Sequence, residues 1–203
     1  ALSRMGEARR KKGLDGREAL DAAIRDFTAL IETHGLDDSP YMNRGGVLLS
    51  RANAEESLGG DPIPHLDAAI QDLGEAIRLG DESPYELLVR ASILQGRAVA
   101  GRVRGEDSRP LLRRALEDLE RSLRLAPGDA EALAGRGEVY REIAVELSTR
   151  GEDASESCRF ALRDLDEALR VAPDDVHTLI KRAKTHRLLG DLALEARGDP
   201  DPR

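Results

Sequence analysis

The chain has 203 residues, is 40% hydrophobic and only 2% aromatic, and carries a formal net charge of −8. That acidity argues against nucleic acid as a main ligand, because phosphate binding needs a basic face. One cysteine excludes an internal disulfide, no apolar run reaches membrane-span length and no signal peptide opens the chain, so a cytoplasmic protein without a membrane partner is expected.

Residues 1–12, ALSRMGEARRKK, align with the end of a helix seen later at Val47–Leu58. From there two kinds of helix alternate. Second helices are predicted near 17–34, 64–79, 109–125 and 156–171, and first helices near 40–58, 84–103, 130–149 and 176–197. The second helices repeat their apolar seats at helical spacing: Leu20, Ala23, Ile24, Phe27; Leu66, Ala69, Ile70, Leu73; Leu112, Ala115, Leu116, Leu119; Cys158, Ala161, Leu162, Leu165. First-helix seats are Tyr41, Gly45, Leu48, Ala52; Leu87, Ala91, Leu94, Ala98; Leu133, Gly137, Tyr140, Ala144; Leu179, Ala183, His186, Gly190. The Gly or Ala in the second seat suits a close helix–helix approach, which offsets the roughly 1 kcal/mol that Gly costs in a helix.

The copies keep a gap-free step of 46 residues, visible at Ile24, Ile70, Leu116 and Leu162 and at Arg44, Arg90, Arg136 and Arg182. Asp15, Asp61, Asp107, Asp153 and Asp199 lie on the same ruler, as do Gly13, Gly59, Gly105 and Gly151. Ser39-Pro40 and Ser83-Pro84 read as an N-cap followed by Pro at the first helical position, with Glu86 completing a capping box to Ser83. Pro127 and Pro173 stop a second helix before Asp129 and Asp175 cap the next. Four and a half copies suffice for one continuous array over residues 1–198, with 199–203 as a tail. By the ruler residue 1 falls inside a first helix, so more chain is expected before it in the native gene.

The pattern resembles the tetratricopeptide repeat (TPR) family. Ala161, Leu165, Ala168 and Pro173 match that family's second helix and turn, and Leu179, Ala183 and Gly190 match its first. The family repeat is 34 residues; the longer step here implies longer hairpins and a deeper or wider concave surface. The resemblance implies an all-α, right-handed superhelical solenoid of antiparallel helix pairs whose first helices line a concave face that binds protein or peptide. A Lys/Asn carboxylate clamp of one family subgroup is not expected, because only Asn43 fits its places.

On that face the candidates are Asn43, Gly46 and Leu49; Leu88, Ser92 and Gln95; Glu138 and Arg141; and Lys181, Lys184 and Arg187. They read either as a groove with a basic end or, in part, as Glu138 and Lys184 pairing across adjacent helices. Arg44–Asp72, Arg90–Asp118 and Arg136–Asp164 are expected as charge-assisted pairs within hairpins, with pairing backward, as Arg44–Asp26, the alternative. Cys158 occupies a leucine seat and reads as a small buried hydrophobe rather than a nucleophile. His34, His65, His177 and His186 show no ligand spacing, and no phosphate loop, zinc spacing or nucleophile elbow is present. The function expected is a non-enzymatic scaffold, without cofactor or metal, binding a peptide or partner helix on the concave face. The alternatives are a structural module that self-associates by stacking repeat ends, and an enzyme subunit whose site lies elsewhere.

Overall fold

A computed structural model of the chain describes residues 16–34 and 37–198. Among these residues there are eight α-helices and no strand: α1 Gly16–His34, α2 Ser39–Ser57, α3 Ile63–Leu79, α4 Pro84–Arg102, α5 Arg109–Leu125, α6 Ala130–Thr149, α7 Ser155–Val171 and α8 Val176–Gly198. Each lies within one residue of the span expected from the periodicity. The readings placed on residues 1–12 and 199–203 lie outside the described residues.

The chain divides into two compact units, the first ending at Glu82 and the second starting at Ser83. In the first unit α2 packs between α1 and α3. In the second, each helix packs on the next from α4 to α8, and the first helices also touch one another, α4 with α6 and α6 with α8. That double neighbourhood is the layering of a helical-repeat solenoid. The α6–α7 hairpin is antiparallel. Leu133 and Ala134 cluster with Leu165 and Ala168 toward one end, and Ala144 with Ala154 and Cys158 toward the other.

The recurring Gly and Asp residues have defined jobs. Each α-hairpin turn closes with the amide of the residue after the glycine donating to a carbonyl five residues back: Gly60 to Glu55, Glu106 to Gly101 and Glu152 to Leu147. Gly59, Gly105 and Gly151 sit at φ 74°, 77° and 72°. This is the Schellman arrangement, whose left-handed residue favours Gly. The aspartate two residues on then starts the next helix, as Asp61, Asp107 and Asp153 accept the amides of Ile63, Arg109 and Ser155.

Asp129 caps α6 by accepting the Ala132 amide at 2.7 Å, and Asp175 caps α8 through the amides of His177 and Thr178. The Ser-Pro signals behave differently from expectation. Ser39 lies inside the first turn of α2, where Asp37 accepts its amide. Ser83 makes no side-chain cap bond, so its half of the expected capping box is missing. Glu86, in the first turn of the same helix, is buried.

First helices bury two faces. One, Leu133, Gly137 and Ala144 in α6, takes the following second helix. The other holds Ala132 and Val139 in α6, Ile93 in α4, and Thr178 and Thr185 in α8, all buried. This second face carries a β-branched residue at one ruler place throughout: Val47, Ile93, Val139, Thr185.

Candidate functional site

The arginine–aspartate constellation is the most regular feature of the molecule. Arg44 Nε and Nη2 donate to Asp72 at 2.8 and 2.7 Å, Arg90 to Asp118 at 2.7 and 2.6 Å, and Arg136 to Asp164 at 2.6 and 2.8 Å. All three are bidentate and join a first helix to the second helix 28 residues on. The aspartates are buried. Hydrogen bonding to its aspartate raises the Arg44 pKa, and the same cause acts on Arg136, against the opposing effect of burial. The rigid two-pronged fork of arginine suits this geometry. In Arg182, the fourth copy, Nη1 donates instead to Asp166, 16 residues back.

The expected concave-face residues separate into two groups. Asn43, Gly46, Ser92, Lys184 and Arg187 are exposed, and Leu49, Leu88, Gln95 and Lys181 are half-buried. Asn43 turns its amide onto its own helix, donating to the Ser39 carbonyl at 2.8 Å.

Glu138 and Arg141 are half-buried and paired with each other. Arg141 donates to Glu138 at 2.8 and 3.1 Å and also to Glu142, and neither side chain is more than 15% exposed. Burial works against the Arg141 charge, and the two carboxylates outweigh it, so its pKa is raised. Glu138 therefore answers Arg141 on its own helix rather than Lys184. Nearby, α8 packs on α6 and brings Leu188, Leu189 and Leu192 against the cluster of Ala144 and Cys158.

Below this pair lies a polar seam that the repeat pattern did not reveal. Arg102 donates to Glu142 at 2.8 Å, the Ser108 hydroxyl donates to Glu146 at 2.7 Å, and Arg150 reaches Glu146 at 3.0 Å. Glu142, Glu146 and Ser108 are buried. The Ser108 hydrogen bond, helped by Arg150, holds the Glu146 carboxyl below its usual range. No positional signal marks this seam, because Glu142 and Glu146 stand where Gly96 and Ala100 stand one copy earlier.

Cys158 is fully buried among alanines and leucines, and burial pushes its thiol pKa up; a reactive thiolate needs the opposite environment. Tyr140 and Phe160 stack with ring centroids 5.3 Å apart. They line a cavity of about 360 Å³ with Leu133, Arg136, Arg163, Asp164 and Glu167. A second cavity of about 450 Å³ lies between the starts of α6 and α8, lined by small alanines with Glu131, Asp175, His177, Thr178 and Lys181. Among the described residues no His, Cys, Asp or Glu cluster is arranged to hold a metal ion, and no helix is long and apolar enough to cross a membrane.

No protein-family model matches the sequence, and no curated protein matches it. Solved structures do. The chain is similar to a crystal structure of MamA protein with a TM-score of 0.52 and 16% identity, over 94% of this chain and 82% of that one. A second MamA crystal structure is matched with a TM-score of 0.37 and 18% identity, over 93% and 96%. At 16% identity the first likeness shows the fold alone, and that fold is the TPR-like all-helical repeat.

Proposed function

We propose that this chain is a protein-interaction scaffold that takes an acidic peptide or partner helix on the polar side of its first helices, at the α8 end. One observation carries the reading: Lys181, Lys184 and Arg187 recur every three residues along α8, and Lys184 and Arg187 are exposed and bound to no carboxylate among the described residues. Glu138 and Arg141 neutralise each other, so the uncompensated positive charge on that side comes from α8. The cavity lined by His177 and Lys181 adds a recess beside the row. The TPR-like fold supports the same reading, since stacked hairpins offer an extended surface for protein segments.

The test is binding of labelled acidic helical peptides against charge-shuffled controls, followed by fluorescence anisotropy. Lys184→Glu with Arg187→Glu is expected to weaken binding by about tenfold or more, and added salt to weaken it further. Equal binding of acidic and neutral peptides would rule the reading out. Ser92 and Gln95, in the same unit as α8, are read as secondary contacts, with smaller losses on substitution.

A further inference from the structure

The repeat supplies its own baseline, so side chains that depart from the other copies without a packing reason point to a use beyond the fold. The clearest departure lies between α6 and α7. The chain has three tyrosines and two phenylalanines, and one of each, Tyr140 and Phe160, stack on one another there. Their ruler places hold Leu94 and Arg114 one copy earlier, and Leu48 and Ala68 two copies earlier. Arg163 stands where Glu117 and Gln71 stand, and repeats Arg25 of α1. Packing does not call for Phe160 or Arg163, since Phe160 is 42% exposed and Arg163 is exposed.

These residues frame the cavity of about 360 Å³. Most of its charges are answered. Arg136 grips Asp164, and Glu120 of α5 adds its field to Arg136 and Tyr140. Glu167 accepts from Arg170. The Arg163 guanidinium and the Tyr140 hydroxyl have no partner among the described residues. Burial pushes the Tyr140 phenol up, so it stays a protonated donor. The open groups are thus two donors, one of them cationic, beside an exposed ring. Arg163 follows Phe160 by three residues, which puts both on one side of α7 with Cβ atoms about 5–6 Å apart.

We propose that this cavity is a second binding site, for a protein segment that carries an aromatic side chain with a carboxylate next to it. The ring packs on Phe160 and Tyr140 in a tilted or offset stack. The carboxylate accepts from Arg163, with the Tyr140 hydroxyl as a second donor. A segment of chain suits the site better than a free small molecule. Small-ligand sites bury most of their ligand, whereas Phe160 and Arg163 leave the mouth of this one in water. The carboxylate is either that of a C-terminal phenylalanine or that of a glutamate beside an internal one; the chemistry is the same. The site is separate from the α8 row. None of Lys181, Lys184 and Arg187 lines the cavity, and Arg136, two residues from Glu138, points to the opposite side of a helix of 3.6 residues per turn.

Isothermal titration calorimetry of the full chain with short, otherwise uncharged peptides tests this. One peptide ends in phenylalanine as the free acid. A second is its C-terminal amide, a third is that amide with glutamate beside the phenylalanine, and a fourth ends in alanine as the free acid. The first or the third is expected to bind, which identifies the carboxylate taken. The second and fourth are expected to bind about tenfold more weakly or less. The repeat itself supplies the variants. Phe160→Arg with Arg163→Glu gives α7 the residues that α5 carries at these places, and Tyr140→Leu gives α6 the residue of α4. Both chains are expected to stay folded and to lose about tenfold or more in affinity, whereas Lys184→Glu with Arg187→Glu is expected to change nothing.

Amide NMR of the native chain supplies a readout that needs no variant: the peptide that binds is expected to move the resonances of Tyr140, Phe160 and Arg163. No binding of the first or third peptide up to about 1 mM, equal binding of the amide or alanine peptides, undiminished binding by the reverted chains, or shifts confined to α8 would overturn the proposal. Loss of binding in the α8 double variant would overturn it too, because the peptides would then be sitting on the α8 row.

Discussion

Helices α6 and α8 carry equivalent seats in different surroundings. In α6 the following helix α7 covers Leu133 and Gly137, and Arg136 grips the buried Asp164. In α8 no described helix follows, so Leu179, Ala183, His186 and Gly190 are exposed, against the expectation that they pack, and Arg182 turns to Asp166. A seat is thus a property of a pair of helices. The same apolar spacing yields a core position or a bare one according to whether a second helix supplies Leu165 or its equivalent. What α8 does bury is its other face, Thr178 and Thr185.

The largest test of this contrast is truncation at matched places. Leu165→Ala, at a site with no exposure, is expected to cost about 2–5 kcal/mol in chemical denaturation. Leu179→Ala is expected to cost less than about 1 kcal/mol. Equal losses would mean that α8 is covered in solution.

Next comes the ion pair. Asp164→Asn leaves Arg136 facing a neutral amide in a half-buried site, and a loss of about 1–3 kcal/mol is expected, below the range for fully buried pairs because Arg136 keeps some solvent. Asp166→Asn removes an exposed partner of Arg182 and should cost about 0–1 kcal/mol. A melting temperature that barely moves for Asp164→Asn would reduce the repeated pair to surface decoration.

Glycines turn the comparison into a change of sign. A Cβ at Gly137 would stand 2.8 Å from Leu165 Cγ and 3.0 Å from the Ala161 carbonyl. Gly137→Ala should therefore destabilise by about 1–3 kcal/mol through overpacking. Gly190 has nothing within 4 Å of such a Cβ, so Gly190→Ala should stabilise α8 by up to about 1 kcal/mol through helix propensity. Two losses, or two gains, would show that close approach is not what separates the two sites.

This contrast also explains what could be read from the residues. The helices and their limits follow from a single offset, because a repeat states its own pattern several times over; the offset narrowed the partners of Arg44, Arg90 and Arg136 to a forward or a backward aspartate, and the geometry chose the forward one. The second buried face was equally available in Val47, Ile93, Val139 and Thr185, but a residue type that tolerates exposure is a weaker mark than a leucine. The Glu142–Glu146 seam was not available, since it occurs in one copy only and a burial that does not repeat leaves no periodic trace. The mutual pairing of Glu138 and Arg141 was not read either, since it too occurs in one copy only.

The smallest effect concerns the caps. Side-chain and backbone hydrogen bonds from Arg109 hold the Asp107 carboxyl down to about 2, the backbone amide of Ser155 lowers Asp153, and bonds from Thr178 lower Asp175. In each case the folded pKa lies below the unfolded one, so the unfolded chain binds more protons in between. The contribution to stability is then fully present above the ordinary aspartate range and is lost as pH falls through the folded value. Asp107 and Asp153 are solvent-exposed and Asp175 is half-buried, so the effect is local to each helix start. Asp175 starts α8, which no following helix covers among the described residues, whereas Asp107 and Asp153 start second helices held by neighbours on either side. Amide NMR from about pH 6 down to about pH 2 is expected to show the His177 and Thr178 resonances moving with a midpoint below that of an unperturbed aspartate near 3.9. Fraying of α8 should begin at this end, before α5 or α7 loosen. A midpoint at or above the unperturbed value would remove Asp175 as the cap, and simultaneous loss in all three helices would mean that α8 is as well supported as the helices packed on both sides.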